Sequence, residues 1–343
     1  MLVSVKATRT IEWQNGVVVT IDQTKLPHKE VFIKLRTSKQ MAEAIQTMKI
    51  RGAPLIGAAT AYGLALTAFH SRAKIRQELL KQLKDSAELL KKTRPTAVNL
   101  FWAADRILKK ASESSGSVAR VSESVVDEAN RIADEDVEMN RKIGEYGSKL
   151  IADGDAILTH CNAGSLATVD YGTAFGVIRT AWEQGKKISV FATETRPKLQ
   201  GARLTAFELK RHHIPFTLIT DSMVGYVMFK GLVNKVVVGA DRIVQDAVVN
   251  KIGTYSIAVL AHEHRIPFYA AAPSSTFDLA HTSKDVVIEE RDPEEVTHIG
   301  SQRIAPRDTK ALNPAFDITP MKYVTGVICE KGVFTGKELK NCM

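Results

Sequence analysis

The sequence predicts an α/β protein: a C-terminal Rossmann-like parallel sheet with helices on both faces, preceded by a smaller, mainly helical N-terminal domain with a short antiparallel β unit. Three observations lead there. From Gly154 onward, short apolar runs at residues 156–158, 188–192, 216–219, 235–238 and 268–271 alternate with helical patterns, and uninterrupted β-branched runs of that length fit strands buried on both sides. Before residue 118 the periodicity is mostly helical. Between the two regions Val125, Ala129, Ile132, Met139, Ile143, Tyr146 and Leu150 recur at helical spacing, the mark of one long amphipathic helix. The expected boundaries are therefore 1–117 for the N-terminal domain, 118–152 for the connecting helix and 153–343 for the Rossmann-like domain. About two domains is also the prior for a chain of this length.

Within the first domain, residues 16–21 and 30–35 are β-prone and are separated by a polar segment containing Pro27, which predicts a small antiparallel unit. Residues 41–48 have helical periodicity that stops at Arg51-Gly52-Ala53-Pro54. Pro54 suits the first position of a new helix through Gly57, Ala58, Ala59, Ala61 and Gly63, small residues that permit close packing. The preceding loop offers Arg51 and backbone N–H groups at a helix start, a setting for phosphate or carboxylate. Thr93-Arg94-Pro95-Thr96 ends a basic helix and begins another, in which Ala97, Phe101, Ala104 and Leu108 share a face. Arg94 is thus a second loop arginine beside a helix start, although for either arginine alone a surface ion pair is the commoner explanation. Residues 111–117 form a small-polar linker, and Asp136 falls on the apolar stripe of the connecting helix. There it is either a functional carboxylate or, more commonly, a capped or interface-exposed one.

In the second domain the helical segments are residues 165–184, closed by Gly185, then 200–212, 223–230, closed by Gly231, and 254–264. The carboxyl ends of the strands then line one edge, where open parallel sheets bind ligands. That edge presents His160 and Cys161, residues 193–196, Thr220 and Asp221, Asp241 and Arg242, and residues 273–275. Residues 289–293 and 313–317 read as ordered loops and 324–329 as a final strand.

A formal charge of +9 favours anionic partners, either nucleic acid or phosphorylated small molecules. Lys74, Arg76, Lys81, Lys84, Lys91 and Lys92 are spread through a helical pattern without interleaved aromatics, so a solvated helix face is expected and nucleic acid is not. Residues 1–6 lack a basic leader followed by an apolar run, and the longest nearly apolar stretch, 54–69, contains Thr60, Tyr62 and Thr67. It falls short of the ~20 residues a membrane span needs, so no membrane association and a cytoplasmic location are expected. Cys161, Cys329 and Cys342 are odd in number and lack metal-ligand spacing, which suits free thiols in a reducing compartment.

Cys161 and Asp241 stand out chemically. Both follow a strand, and a thiol with a carboxylate nearby can exchange protons with a carbon acid or a carbohydrate oxygen. A helix start at Gly164-Ser165 would raise the thiolate fraction. The alternatives are a buried small hydrophobe for Cys161 and a helix cap or an ion pair with Arg242 for Asp241. A Cys-His nucleophile is disfavoured because His160 and Cys161, adjacent on extended chain, point to opposite faces. His212-His213 and His262-Glu263-His264 lie at predicted helix ends and do not share a helical face, so no metal is assigned. Asn162-Ala163-Gly164-Ser165 is not a G-x-G-x-x-G fingerprint, so a dinucleotide cofactor is unsupported.

Arg51-Gly52-Ala53-Pro54, Arg94-Pro95-Thr96-Ala97-Val98-Asn99-Leu100, Thr159-His160-Cys161-Asn162-Ala163-Gly164, Glu194-Thr195-Arg196-Pro197 through Leu199-Gln200-Gly201, Val238-Gly239-Ala240-Asp241-Arg242 and Asn250-Lys251-Ile252-Gly253-Thr254 together resemble the methylthioribose-1-phosphate isomerases of methionine salvage. The resemblance implies conversion of 5-methylthioribose 1-phosphate to 5-methylthioribulose 1-phosphate without metal or cofactor. Asp241 would be the proton donor and Cys161 the transition-state stabiliser, with Arg51, Gly52, Ala53, Arg94, Gln200, Asn250 and Lys251 holding the substrate. A homodimer is implied as well. Many members carry a Gly-Asp-containing loop before the Asn-Lys pair, whereas residues 243–249 have no glycine here. Ribose-1,5-bisphosphate isomerases and the regulatory subunits of translation initiation factor 2B share the fold and are the alternatives. The context Asn99-Leu100-Phe101-Trp102 looks like the methylthioribose enzymes, and the joint presence of Arg51, Arg94, Cys161 and Asp241 favours an enzyme over a binding subunit.

Overall fold

The computed structural model describes residues 9–342, so the N-terminal stretch read for a leader lies outside the described residues. The chain divides into two compact units, 1–141 with 164–172, and 142–163 with 173–343.

In the first unit, β1 (Ile11–Gln14), β2 (Val17–Ile21) and β3 (Phe32–Leu35) form an antiparallel sheet in that order. The strand β1 was not anticipated; it pairs with β2 across the Asn15-Gly16 turn, where both residues have positive φ, the backbone that a tight hairpin requires. Helix α1 (Ser38–Gln46) starts earlier than its apolar pattern because Thr37 caps it, accepting from the Gln40 N–H at 3.1 Å. Helices α2 (Ala53–Phe69), α3 (Arg76–Lys91) and α4 (Val98–Glu113) follow. The apolar helix α2 is buried on nearly every side, with Leu55, Ala59, Tyr62 and Leu66 at most 1 % exposed. At Gly57 and Gly63 a β-carbon would come within 3.1 Å of the Asn99 carbonyl and 3.0 Å of Leu90, so these glycines let α4 and α3 pack closely on α2. Each fully buried leucine in this cluster, such as Leu79, Leu83 and Leu100, contributes about 1.5–3 kcal/mol. The buried face of α4 is Leu100, Ala103, Ala104, Ile107 and Ala111. Of the face expected, only Ala104 is fully buried; Phe101 and Leu108 pack at its margin, and Ala97 is the N-cap. Lys81, Lys84 and Lys92 are exposed, as a solvated helix face requires.

The long helix α5 (Val118–Ser148) belongs to the first unit through Arg141 and to the second from Lys142. In the second unit the strands β4 (Ala156–Thr159), β5 (Ser189–Thr193), β6 (Phe216–Ile219) and β7 (Lys235–Gly239) alternate with α6 (Ala174–Glu183), α7 (Ala206–Arg211) and α8 (Val224–Phe229). Then come the hairpin β8 (Arg242–Val244) and β9 (Ala247–Lys251), α9 (Thr254–Glu263), β10 (Phe268–Ala271), α10 (Glu294–Thr297), the small ribbon β11 (His298–Ile299) and β12 (Gln302–Arg303), and finally β13 (Phe316–Pro320), β14 (Gly326–Cys329) and β15 (Gly332–Phe334). The main sheet has seven strands in the order β15-β14-β10-β7-β4-β5-β6, parallel except for β15. Alternate residues face opposite cores: Leu158, Val236, Val238 and Ala270 enter one cluster, and Ile157, Val237 and Ala271 the other. That period of two, with both faces covered, is why the strands read as unbroken apolar runs.

Three expectations are corrected here. The helix expected over 165–184 is only α6, preceded by one 3-10 turn at Ser165–Ala167. Between them Thr168 Oγ1 donates to the Asp170 carbonyl at 2.8 Å, the Asp170 carboxylate accepts from the Tyr171 N–H, and Tyr171 and Gly172 have positive φ. These local side-chain bonds compete with helical ones. Residues 243–249 and 313–317, read as loops, contribute to β8, β9 and β13, which form a separate antiparallel sheet. Lastly, Cys329 and Cys342 are not free but joined in a disulfide, their Cα atoms 6.5 Å apart, because the terminal 3-10 segment Gly336–Cys342 lies on β14 and β15. Cys161 takes no part in a disulfide.

Candidate active site

The strand order reverses beside β4. From β4 the chain moves outward through β5 and β6, then returns to β7 on the other side and continues through β10 and β14. The loops leaving β4 and β7 therefore diverge and open a crevice at the sheet's carboxyl edge, the usual ligand position in open parallel sheets. Cys161 and Asp241 each stand two residues past the end of their strand, β4 and β7 respectively. The two loops approach closely at Gly239, where a β-carbon would lie 2.7 Å from that of Ala163.

Cys161 is half-buried with a φ of 62°, a left-handed conformation unusual for a residue with a side chain. Its backbone is held on both sides: the N–H donates to Thr195 Oγ1 at 2.9 Å and the carbonyl accepts from the Thr205 hydroxyl at 2.6 Å. Thr195, a β-branched residue at φ 64°, is itself fixed by Asp221, whose carboxylate accepts the N–H groups of Thr195 and Arg196. Next to Cys161, Asn162 donates to the buried carboxylate of Glu208 at 2.6 Å. Backbone strain of this kind persists only where surrounding bonds over-determine it.

His160 is buried, and both of its ring nitrogens are engaged. The Ile252 carbonyl, 2.9 Å from Nε2, must accept, so Nε2 carries the hydrogen and Nδ1 accepts from the Thr193 hydroxyl at 2.6 Å. Burial holds its pKa below the ordinary imidazole range, which keeps the ring neutral. It therefore ties the end of β4 to the Lys251-Ile252-Gly253 turn. Gly253, at φ 104°, leaves room for it, since a β-carbon there would sit 3.1 Å from Nε2.

Asp241, Asn250 and Lys251 are brought together by the β8–β9 hairpin. The Asp241 N–H donates to the Val249 carbonyl at 2.9 Å and Arg242 pairs with Val249, so one further step of the register sets Asp241 across from Asn250. The glycine-less segment makes a two-residue turn, Gln245-Asp246, in which the Asp246 carboxylate accepts from the Ser283 N–H and hydroxyl at 2.7 Å each. Asn250 donates to Thr254 Oγ1 at 3.1 Å. Lys251 donates to the Ala315 carbonyl at 2.6 Å and lies over the Phe316 ring. The Arg242 guanidinium pairs with Asp278, so the Arg242–Asp241 ion pair weighed from sequence is not its arrangement. Gln200 is 4 % exposed and its Oε1 has no hydrogen-bond partner among the described residues. It precedes a π-turn, Gly201–Thr205, that packs on β5, where a β-carbon at Gly201 would lie 1.7 Å from the Thr193 carbonyl. A buried acceptor left open in this way suits a ligand hydroxyl.

The remaining candidates, Arg51, Gly52, Ala53 and Arg94, belong to the first unit. Gly52 is the N-cap of α2 with φ 104°, and a β-carbon on it would fall 2.5 Å from the Ala167 Cα. Only glycine fits there. Arg51 is 6 % exposed and donates from Nε to Gln23 Oε1 at 2.9 Å. Arg94 is half-buried with Nη1 3.5 Å from the Met48 sulfur. Both arginines adjoin a helix start, α2 and α4 respectively, the arrangement that attracts anions. Asp136 accepts from the Val169 N–H at 2.7 Å and is buried, which pushes its pKa up to about 7. It anchors the 164–172 segment within the first unit. Of the supporting set, Thr193, Thr195 and Asp221 were placed on this edge from the sequence, whereas Thr205 and Glu208, inside a predicted helix, gave no sign of their part.

Residues 49–336 match the model of the Initiation factor 2 subunit family. A relative named methylthioribose-1-phosphate isomerase from Carboxydothermus hydrogenoformans is 55 % identical, the alignment spanning 94 % of this chain and 95 % of the relative. A crystal structure of 5-methylthioribose 1-phosphate isomerase from Pyrococcus horikoshii superposes with a TM-score of 0.91 at 48 % identity, covering 98 % of this chain and 96 % of that one. A second crystal structure, described as translation initiation factor eIF-2B subunit delta from A. fulgidus, superposes with a TM-score of 0.86 at 54 % identity, covering 97 % and 98 %. With motifs, strand order and near-full-length identity in agreement, the chain belongs to the Initiation factor 2 subunit family and, within it, to the methylthioribose-1-phosphate isomerases.

Proposed function

We propose that the protein is an aldose–ketose isomerase that converts 5-methylthioribose 1-phosphate to 5-methylthioribulose 1-phosphate. The observation that carries this is the presence of Cys161 and Asp241 at the carboxyl ends of the adjacent parallel strands β4 and β7, where the sheet changes direction. The substrate's anomeric carbon bears the phosphate, so its ring cannot open as a free hemiacetal does. Asp241 protonates the ring oxygen as the bond from that oxygen to C1 breaks. Hydrogen moves from C2 to C1, and the C2 hydroxyl loses its proton as the ketone forms, which restores the protonated acid and balances the step. Cys161 stabilises the transition state beside the reacting carbons. Gln200, Asn250 and Lys251 are assigned to the sugar, and Arg51, Gly52, Ala53 and Arg94 to the phosphate. The open Gln200 Oε1 supports a hydroxyl-bearing ligand.

Offering purified protein each sugar phosphate and following ketose formation tests the assignment. Turnover of 5-methylthioribose 1-phosphate is expected. Turnover of ribose 1,5-bisphosphate alone would make it the bisphosphate enzyme, and turnover of neither would favour a translation initiation factor subunit, as the 54 % identical A. fulgidus structure is described.

Among the described residues no helix is long and apolar enough to cross a membrane, and we assign a cytoplasmic location with a sugar phosphate, not nucleic acid, as partner. We further propose a homodimer. The edge strand β6, helix α8 and the residues flanking that helix expose Leu218, Met223, Tyr226, Phe229 and Leu232, with Tyr226 61 % and Phe229 74 % exposed, and neighbouring apolar side chains of that size mark an association surface. Sedimentation equilibrium is expected to give twice the chain mass, reduced to the chain mass by Phe229→Glu; a monomeric parent protein would refute the proposal.

A further inference from the structure

We infer that Gln23 is a positioning residue for Arg51, fixing the orientation in which that guanidinium meets the substrate phosphate. The inference rests on the phosphate-binding role proposed for Arg51. Gln23 follows β2, is 2 % exposed, and has each end of its amide committed: Oε1 accepts from Arg51 Nε at 2.9 Å and Nε2 donates to the Leu166 carbonyl at 2.7 Å. Its own N–H donates to the Lys49 carbonyl at 3.1 Å, two residues before Arg51. The amide cannot flip without setting its NH2 group against Nε–H and its oxygen against a carbonyl, so both bonds define a single orientation.

The geometry matters because guanidinium is planar. A bond at Nε fixes the roll of that plane about the side-chain axis, and hence the direction in which the two terminal nitrogens point. Bidentate recognition of a phosphate depends on that direction more than on the charge alone. The Leu166 carbonyl serves as the fixed reference. It lies in the segment whose next residue, Ala167, is packed against Gly52, and whose neighbour Ser165 accepts from the Thr10 hydroxyl at 2.7 Å. Gln23 thus ties the arginine to the same short segment that the adjoining Gly52 already touches. An apolar side chain at position 23 would leave Arg51 in place but remove the acceptor that orients its Nε.

The test is a double-mutant cycle on turnover kinetics, with Gln23→Met, Arg51→Ala and the pair. Methionine fills the same length and removes only the amide; Gln23→Leu repeats the measurement if methionine lowers the melting temperature. Gln23→Met is expected to raise KM about tenfold with kcat within about twofold, and to weaken inhibition by inorganic phosphate by a similar factor. In the Arg51→Ala background the same change is expected to add less than about twofold, because the residue it orients is gone. If Arg51→Ala leaves KM and phosphate inhibition unchanged, the phosphate role of Arg51 fails and the inference falls with it. If Arg51→Ala raises KM but Gln23→Met does not, the inference alone fails. An equal effect of Gln23→Met in both backgrounds would mean that Gln23 acts on the fold and not through Arg51, and would overturn it too.

Discussion

The two units hold their candidate residues by different means. In the second unit the main-chain ladder does most of it: β4 and β7 pair in parallel, β8 and β9 in antiparallel, and these registers bring Cys161, Asp241, Asn250 and Lys251 to one edge, with only the Cys161 turn held by side chains, those of Thr195 and Thr205. In the first unit buried polar side chains do it, with Gln23, Thr10 and Asp136 all bonded to the 164–172 segment and Gly52 packed against it. A ladder shares its load over many hydrogen bonds, whereas a side-chain tie can be cut by one substitution. The hairpin that carries Asp241 is therefore expected to tolerate single substitutions outside it, whereas the surroundings of Arg51 and Gly52, like the threonine-held turn at Cys161, are open to change from a distance.

The largest effect should come from the reacting groups. Asp241→Asn keeps the hairpin, because the Val249 carbonyl bonds to the backbone N–H and not to the side chain. It is expected to lower kcat about 10³-fold with KM within a few-fold, the loss of one general acid. Cys161→Ser should follow with about a 10²-fold loss in kcat and near-normal substrate affinity by calorimetry, as for a group acting chiefly on the transition state. Equal loss of binding and turnover in the cysteine variant would show that its left-handed turn shapes the pocket itself, and the contrast between the units would then break on the second unit's side. An unchanged pH profile with full activity in Asp241→Asn would remove the acid role altogether.

The two units also differed in how far they could be read from sequence. The parallel strands were legible because each is buried on both faces and so carries an unbroken apolar run, and Cys161 and Asp241 followed from being next after such runs. Which strands are neighbours was not legible, since pairing of β4 with β7 across intervening β5 and β6 is a long-range choice without a local signature. The hairpin that delivers Asn250 and Lys251 was missed because its turn, Gln245-Asp246, contains no glycine and is stabilised by Ser283, distant in sequence. Its sign was present all the same: Arg242-Ile243-Val244 and Ala247-Val248-Val249 flank two polar residues with matched β-branched runs. In the first unit the helix starts at Pro54 and Arg94 were legible by local rules. The tie from Gln23 was not, because a buried glutamine in sequence looks like any surface one, and Asp136 stood out on its apolar stripe without any sign of its partner, Val169, 33 residues away.

The smallest effect on turnover, and a distinct one on stability, is expected at Asp136. Burial raises its folded-state pKa from 3.8 to about 7 while it accepts the Val169 N–H. Between those values the folded chain binds more protons than the unfolded one, so this group's contribution is fully present below about pH 4 and is lost as pH rises towards and through about 7. Asp136→Asn keeps an oxygen for the Val169 N–H and removes the titration. The parent should therefore lose stability on the order of a few kcal/mol between pH 5 and pH 8 that the variant does not lose, measured by denaturant unfolding of both proteins at each pH. Turnover at temperatures well below unfolding should be nearly unchanged, since Asp136 acts on the 164–172 segment and not on a reacting group. Parallel pH–stability curves for parent and variant would mean that the carboxyl stays ionised in the fold, and that the side-chain ties of the first unit are less sensitive than the comparison with the second unit requires.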